Sequence, residues 1–163
     1  MNGVVRQRIA TAIALALPLI AIISWSPGWL TAAVFAAFVA IAADEWARLC
    51  GVHGPFMRAA YIGLTTGLVA VAYVSRDDSH QVAMVLAAAG IWWLLAAMLL
   101  AVVQMREAPL VVPRSVQLVL GLLVLVPAWL ALVVLHGLSA WLLLATLVIV
   151  WTADIAAFFA GRA

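Results

Sequence analysis

Lysine is absent from these 163 residues, and charged side chains of every kind make up only 9% of them. A soluble globular domain carries near 25% charge, so that class is excluded. Arginine outnumbers the six acids by two, but the positive charges are spread over short loops. They form no basic patch of the kind nucleic acid requires, so nucleic acid is excluded as a partner. A single cysteine, Cys50, rules out an internal disulfide and leaves the redox compartment open. Histidine is scarce too: His53, His80 and His136 sit in separate loops, without metal-ligand spacing. No Walker loop, G-x-G-x-x-G, G-x-S-x-G or H-E-x-x-H occurs. Repeats, low-complexity tracts and long linkers are lacking as well.

What fills the chain instead is hydrocarbon: 69% of its residues are hydrophobic and the mean hydropathy is +1.27. Apolar runs of spanning or nearly spanning length, bounded by charges and by Gly or Pro, predict six helices. They cover Ile9 to Trp25, Trp29 to Ala47, Ala59 to Val74, Val82 to Met105, Val116 to Leu135 and Leu138 to Gly161. Ser26-Pro27-Gly28 separates the first two and His136-Gly137 the last two; the third is the shortest. Arg6 and Arg8 before the first run resemble a signal peptide, but five further runs follow, and an uncleaved first span is expected. The fold class is an all-α, polytopic transmembrane helical bundle, organised as one compact membrane domain.

Arginine placement tests the span count, because cytoplasmic loops are enriched in Lys and Arg. With the N-terminus inside, Arg6, Arg8, Arg48, Arg58, Arg106, Arg114 and Arg162 all fall on the cytoplasmic side, and only Arg76, beside Asp77 and Asp78, falls outside. Adding or dropping one helix would move every later loop across the membrane. Both termini of this chain are therefore expected in the cytoplasm, and short loops fit a multi-pass protein of a bacterial inner membrane. Trp25, Trp29 and Trp141 are expected at the outer interface and Trp46 at the inner one. Trp92, Trp93, Trp129 and Trp151 are expected to pack between helices. Pro18 and Pro127 should kink or loosen their spans.

The last span contains one ionisable group. Asp154 in the last run would cost about 2.5–3.5 kcal/mol at mid-bilayer, which is tolerable only if it faces a bundle interior, a wet cavity, a cation or a substrate. It lies about 10 Å along the axis from Gly161 at 1.5 Å per residue, toward the cytoplasmic end, where a soluble ligand could reach it. The bland account is a carboxylate satisfied by hydroxyls or by an arginine of a neighbouring helix. Ala153, Ala157 and Gly161 make a small-residue stripe suited to close helix packing; Trp151, Asp154 and Phe158 share a neighbouring face. Asp44 and Arg48, spaced i,i+4 at the end of span two, read as an interfacial ion pair worth a few tenths of a kcal/mol. Glu45 beside them is a candidate for lining the site. Gly63 and Gly67 form a GxxxG read as a packing face, and Arg58, Arg106 and Arg114 are placed to meet anionic headgroups.

The run Trp151-Thr-Ala-Asp154-Ile-Ala-Ala157-Phe158-Phe-Ala-Gly161-Arg162 resembles the W-x-x-D-x-x-A-[YF]-x-x-G-[RK] motif of phosphatidate cytidylyltransferases, the CDP-diacylglycerol synthases. Other parts agree in order: Arg6-Gln-Arg8-Ile9, Glu45-Trp46 with Leu49 and Gly51, Trp92-Trp93, and Gly121 to Pro127. The resemblance covers essentially the whole chain but only the N-terminal half or so of a family member. It implies a transfer in which a phosphate oxygen of phosphatidate attacks the α-phosphorus of CTP, giving CDP-diacylglycerol and pyrophosphate. It implies Asp154 as the catalytic and metal-binding carboxylate, Mg²⁺ as the cofactor, and Glu45 and Arg162 as substrate contacts. Phosphatidate, CTP and the bilayer are the implied partners, with a homodimer also envisaged.

Two departures matter. Ile155 and Phe158 stand where the family commonly has Ser or Thr and Tyr, so two hydroxyls that could support the carboxylate are gone. The family's Ser-Pro-Lys-Lys-Thr-like loop and later acidic, Gly-rich signature do not occur in these residues, so lysine donors for CTP and further metal ligands are missing. The expectation is that residues 1–163 alone are inactive. The competing readings are a transporter or permease fragment using Asp154 as a proton or cation relay, and a non-catalytic membrane assembly module.

Overall fold

A computed structural model describes residues 3–104 and 112–161, and throughout these it is helical apart from short turns. The helices are α1 (Gly3–Trp25), α2 (Gly28–Leu49), α3 (Pro55–Val74), α4 (Ser79–Gln104), α5 (Arg114–Leu138) and α6 (Ala140–Ala160), with a 3₁₀ turn at Ser75–Asp77. Among the described residues five helices, α2 to α6, are long and apolar enough to cross a membrane. Met105, Arg106 and Arg162 lie outside the described residues, as do the side chains of Arg6 and Arg8.

The helix ends follow from local chemistry. The third helix gains a turn over its expected length because Pro55 takes the first helical position, where a missing N–H costs nothing and φ is already helical. Asp78 caps α4: its Oδ1 accepts the backbone N–H groups of His80 at 3.0 Å and Gln81 at 3.1 Å. The last turn between helices falls at Ser139 rather than His136-Gly137, because the Ser139 hydroxyl caps α6 by accepting the Trp141 N–H at 3.2 Å. α1 and α5 run through Pro18 and Pro127.

The chain falls into two compact units, one of Met1–Ala33 with Leu132–Ala163 and one of Val34–Ala131. In the first, α1 and α6 pack together and His136 joins the end of α1 to the start of α2. Its Nε2 lies 3.0 Å from the Ile23 carbonyl oxygen, which requires the proton on that nitrogen, and 3.4 Å from Thr31 Oγ1. Ile23, Thr31 and Leu143 are fully buried.

The second unit is built around Ala43, Ala47, Val52 and Tyr61, with Trp46, Ile62, Leu118, Leu122 and Leu125 packed on them. Lipid is as apolar as leucine, so burial alone does not hold such helices together; close approach and interhelical hydrogen bonds do. Both meet at Gly121. Trp46, expected at the interface as an anchor, turns inward, and its Nε1–H donates to the Gln117 carbonyl at 2.9 Å. The Tyr61 hydroxyl donates to the Leu118 carbonyl at 2.9 Å. A methyl group on Gly121 would come within 2.5 Å of Trp46 Nε1 and closer still to the Tyr61 oxygen, so only glycine leaves room for both. α3 buries Tyr61, Thr65 and Val69, whereas the GxxxG glycines Gly63 and Gly67, on the opposite side, meet nothing within 4 Å among the described residues. Trp129 is buried, with its ring 6.1 Å from that of Tyr73, whereas Trp93 stands exposed on α4, where no residue of Ser79–Val103 is buried.

Candidate functional site

Asp154 sits on α6 in the unit of Met1–Ala33 and Leu132–Ala163. Its side chain is exposed, and among the described residues no hydrogen bond or ion pair engages either carboxylate oxygen. The bland account required a hydroxyl or guanidinium partner. The nearest hydroxyl in sequence, Thr152, instead donates back to the Val148 carbonyl at 2.7 Å. Ala153, Ala157 and Gly161 are exposed alongside. Among the described residues, then, both oxygens of this carboxylate on an apolar helix are open to a ligand.

The second acidic point belongs to the unit of Val34–Ala131 and has the opposite character. Asp44 Oδ2 accepts Arg48 Nη2 at 2.6 Å, which is the i,i+4 pair expected from spacing. Arg58, at the start of α3, was not anticipated: its Nε donates to Asp44 Oδ1 at 2.7 Å and its Nη2 reaches the same oxygen. Asp44 is therefore a fully engaged clasp between α2 and α3, with no oxygen free for chemistry. Glu45, one residue on, is exposed and free of hydrogen bonds among the described residues. Arg58 could not be read as its neighbour's partner from sequence, because the chain reverses between them. The only sequence hint was a second arginine just beyond a glycine-bearing turn.

That turn explains the reversal. Val52 N–H bonds the Ala47 carbonyl and Gly51 N–H the Arg48 carbonyl, both at 2.9 Å, a Schellman motif whose left-handed position is Gly51 at φ +75°. Val52 and Ala47 join the same core, which is the hydrophobic contact the motif favours. Cys50 is buried in the turn; burial pushes its thiol above the ordinary range, with the Arg114 charge pulling weakly the other way. On the opposite end of α3, Arg76 donates to the Tyr73 carbonyl at 2.7 Å and lies 3.9 Å over the Tyr73 ring centre. The one arginine that breaks the expected charge bias is thus held locally.

A model of the cytidylyltransferase family matches residues 6–163. The chain belongs to that family. Among curated relatives, it is 37% identical over 169 residues to the phosphatidate cytidylyltransferase of Pseudomonas aeruginosa, an alignment that takes in 97% of this chain and 58% of that protein. The chain thus spans well under two thirds of the length of the relative it matches. No solved structure matches it. Membership confirms the resemblance drawn from the Trp151–Arg162 run and makes this cytidylyltransferase-family chain a multi-pass helical membrane protein.

The family's implied Mg²⁺ can be tested against the donors present. Mg²⁺ keeps several waters and binds through one or two carboxylates plus substrate phosphates. Asp154, with two oxygens unengaged among the described residues, fits that role; Asp44, clasped by two guanidinium groups, does not. Among the described residues no three His, Cys, Asp or Glu side chains come together, so Asp154 fits as a single protein ligand of an ion shared with phosphate.

Proposed function

We propose that this chain forms part of a membrane cytidylyltransferase that joins phosphatidate to CTP, releasing pyrophosphate and producing CDP-diacylglycerol. The observation that carries the reading is Asp154: an exposed carboxylate without a partner among the described residues, inside the motif that matches the family, on a helix apolar enough to span a membrane. Transfer of this kind rests on positioning and charge neutralisation. Asp154 would hold Mg²⁺ through a carboxylate oxygen, and the ion when bound offsets the negative charge of the phosphates. A phosphatidate oxygen then attacks the α-phosphorus of CTP as the bond to pyrophosphate breaks.

The arginine tally supports an orientation with both termini in the cytoplasm of a bacterial inner membrane. That places Asp154 toward the side where CTP is available. A reporter fused after Ala163 should label from the cytoplasmic side only. Glu45 and Arg162 keep the role the resemblance implies, contacts to substrate, each to be tested by its own substitution.

Residues 1–163 contain no lysine and, among those described, one fitted metal ligand, so purified chain 1–163 is expected to give no CDP-diacylglycerol above an Asp154→Ala control. The role of Asp154 is tested in a chimera in which this chain replaces the matching part of the Pseudomonas aeruginosa enzyme. Loss of a metal ligand removes several kcal/mol of transition-state stabilisation, so Asp154→Asn should lower turnover by at least about 100-fold. A chimera that is active and indifferent to that change would remove the basis of the reading.

A further inference from the structure

The unit of Val34–Ala131 holds an open apolar groove of about 250 Å³ between the end of α2 and the start of α5, lined by Trp46, Leu49, Cys50, Val112, Gln117 and Leu120. Two of its polar N–H groups are already engaged. Trp46 Nε1–H is spent on the Gln117 carbonyl, and Gln117 Nε2–H donates to the Val112 carbonyl at 2.8 Å. The lining therefore offers an occupant mainly hydrocarbon contact, from Trp46, Leu49, Val112 and Leu120. Leu49, on its lip, is 83% exposed.

Charge at the same end is distributed unevenly. Arg48 and Arg58 share the Asp44 carboxylate, and Glu45 is the other acid at this end of α2. Arg114, the first residue of α5, is exposed and has no acidic partner among the described residues. Its guanidinium lies over the α2–α3 turn: a methyl group on Gly51 would sit 3.2 Å from Arg114 Nη2. Cys50, next in the chain, lines the groove. A guanidinium with no acidic partner among the described residues thus stands beside the turn that carries Cys50, one wall of the apolar slot, at the ends of two helices apolar enough to span a membrane.

From this juxtaposition we infer that the groove holds one acyl chain of an anionic phospholipid whose phosphate is bound by Arg114. The planar guanidinium presents paired donors to phosphate oxygens, and the slot beside it takes the tail. A free phosphate would leave the groove unused, and a zwitterionic lipid would present Arg114 with a headgroup that carries its own cation. The site is built wholly from the unit of Val34–Ala131, and the lipid held there is a bound component of that unit rather than the reactant.

The test is native mass spectrometry of the full chain released from mixed micelles containing phosphatidylglycerol and phosphatidylcholine in equal amounts. The wild-type chain should retain one phosphatidylglycerol in preference to phosphatidylcholine. Arg114→Gln should reduce that preference about fivefold, since a basic residue near a lipid surface contributes about 1 kcal/mol. Arg76→Gln, on a guanidinium already stacked and bonded, should leave it unchanged, and so should Asp154→Asn, which separates this inference from the proposed reaction. Leu120→Trp, which fills the slot, should abolish retention; if that variant does not fold, the Arg114→Gln comparison decides alone. Equal retention by wild type and Arg114→Gln, or displacement of the lipid by millimolar inorganic phosphate, would overturn the inference.

Discussion

Asp44 and Asp154 are the same residue type on similar apolar helices, and they have opposite fates. Asp44 is closed off by Arg48 and Arg58, and around it the unit of Val34–Ala131 engages its polar tips: Trp46 and Tyr61 on α5 carbonyls, Thr65 on the Tyr61 carbonyl at 2.8 Å. Asp154, in the other unit, is left exposed with no partner among the described residues. A carboxylate that stabilises the fold is recognisable by its saturation, and one available to a ligand by its lack of it. Charge inside a membrane segment does not by itself distinguish the two.

The sharpest way to break this contrast is to neutralise both acids and measure folding and turnover together. Asp154→Asn should cost the active chimera at least about 100-fold in turnover while leaving the denaturant midpoint of chain 1–163 unchanged, because no bond within the described fold is lost. A clear drop in stability would mean that Asp154 is a structural carboxylate after all. Asp44→Asn should do the reverse, lowering stability modestly: Arg48 is mostly exposed, and Arg58, only a quarter exposed, loses its partner.

The Gly121 node predicts the largest stability effect. Gly121→Ala should overpack the α5 contact by about 1–3 kcal/mol and lose about 0.6 kcal/mol for each interhelical bond displaced, read as a lower midpoint in a denaturant titration followed by circular dichroism. A wild-type midpoint would show that Trp46 and Tyr61 can turn away freely. Gly51→Ala should cost less, about 1–2 kcal/mol for a Cβ in the left-handed region, and the paired change Gly63→Ala should cost nothing, since a methyl group there meets nothing within 4 Å among the described residues.

The smallest effect is kinetic. With its thiol raised by burial, Cys50 holds less thiolate at neutral pH than an exposed cysteine. Maleimide labelling of the folded chain should therefore be slow near pH 7 and accelerate as pH climbs past the usual thiol range, reaching the rate of a free thiol only after unfolding. Labelling at the free-thiol rate near pH 7 would mean that the turn opens readily.

Much of this was legible in advance. Apolar run length predicted the helices, and the i,i+4 spacing predicted Asp44 with Arg48. The motif around Asp154 predicted the family to which the chain belongs. What escaped was everything that depends on two helices meeting. Trp46 reads as an interfacial anchor until its partner carbonyl on α5 is known. Gly63-x-x-x-Gly67 reads as a seam, although α3 turns its Tyr61–Thr65–Val69 face inward instead.

Sequence by itself determined the helices and the chemical character of Asp154, because both depend on local composition along one segment. Tertiary structure alone decided which face of each helix turns inward, that Gly121 admits two aromatic tips, that Arg58 closes on Asp44, and that Arg114 lies over the Gly51 turn. The physical reason is the solvent. Where lipid replaces water, apolar side chains point outward as readily as inward, the amphipathic stripe that betrays a buried face disappears, and only steric fit and hydrogen bonding between helices distinguish one side from the other.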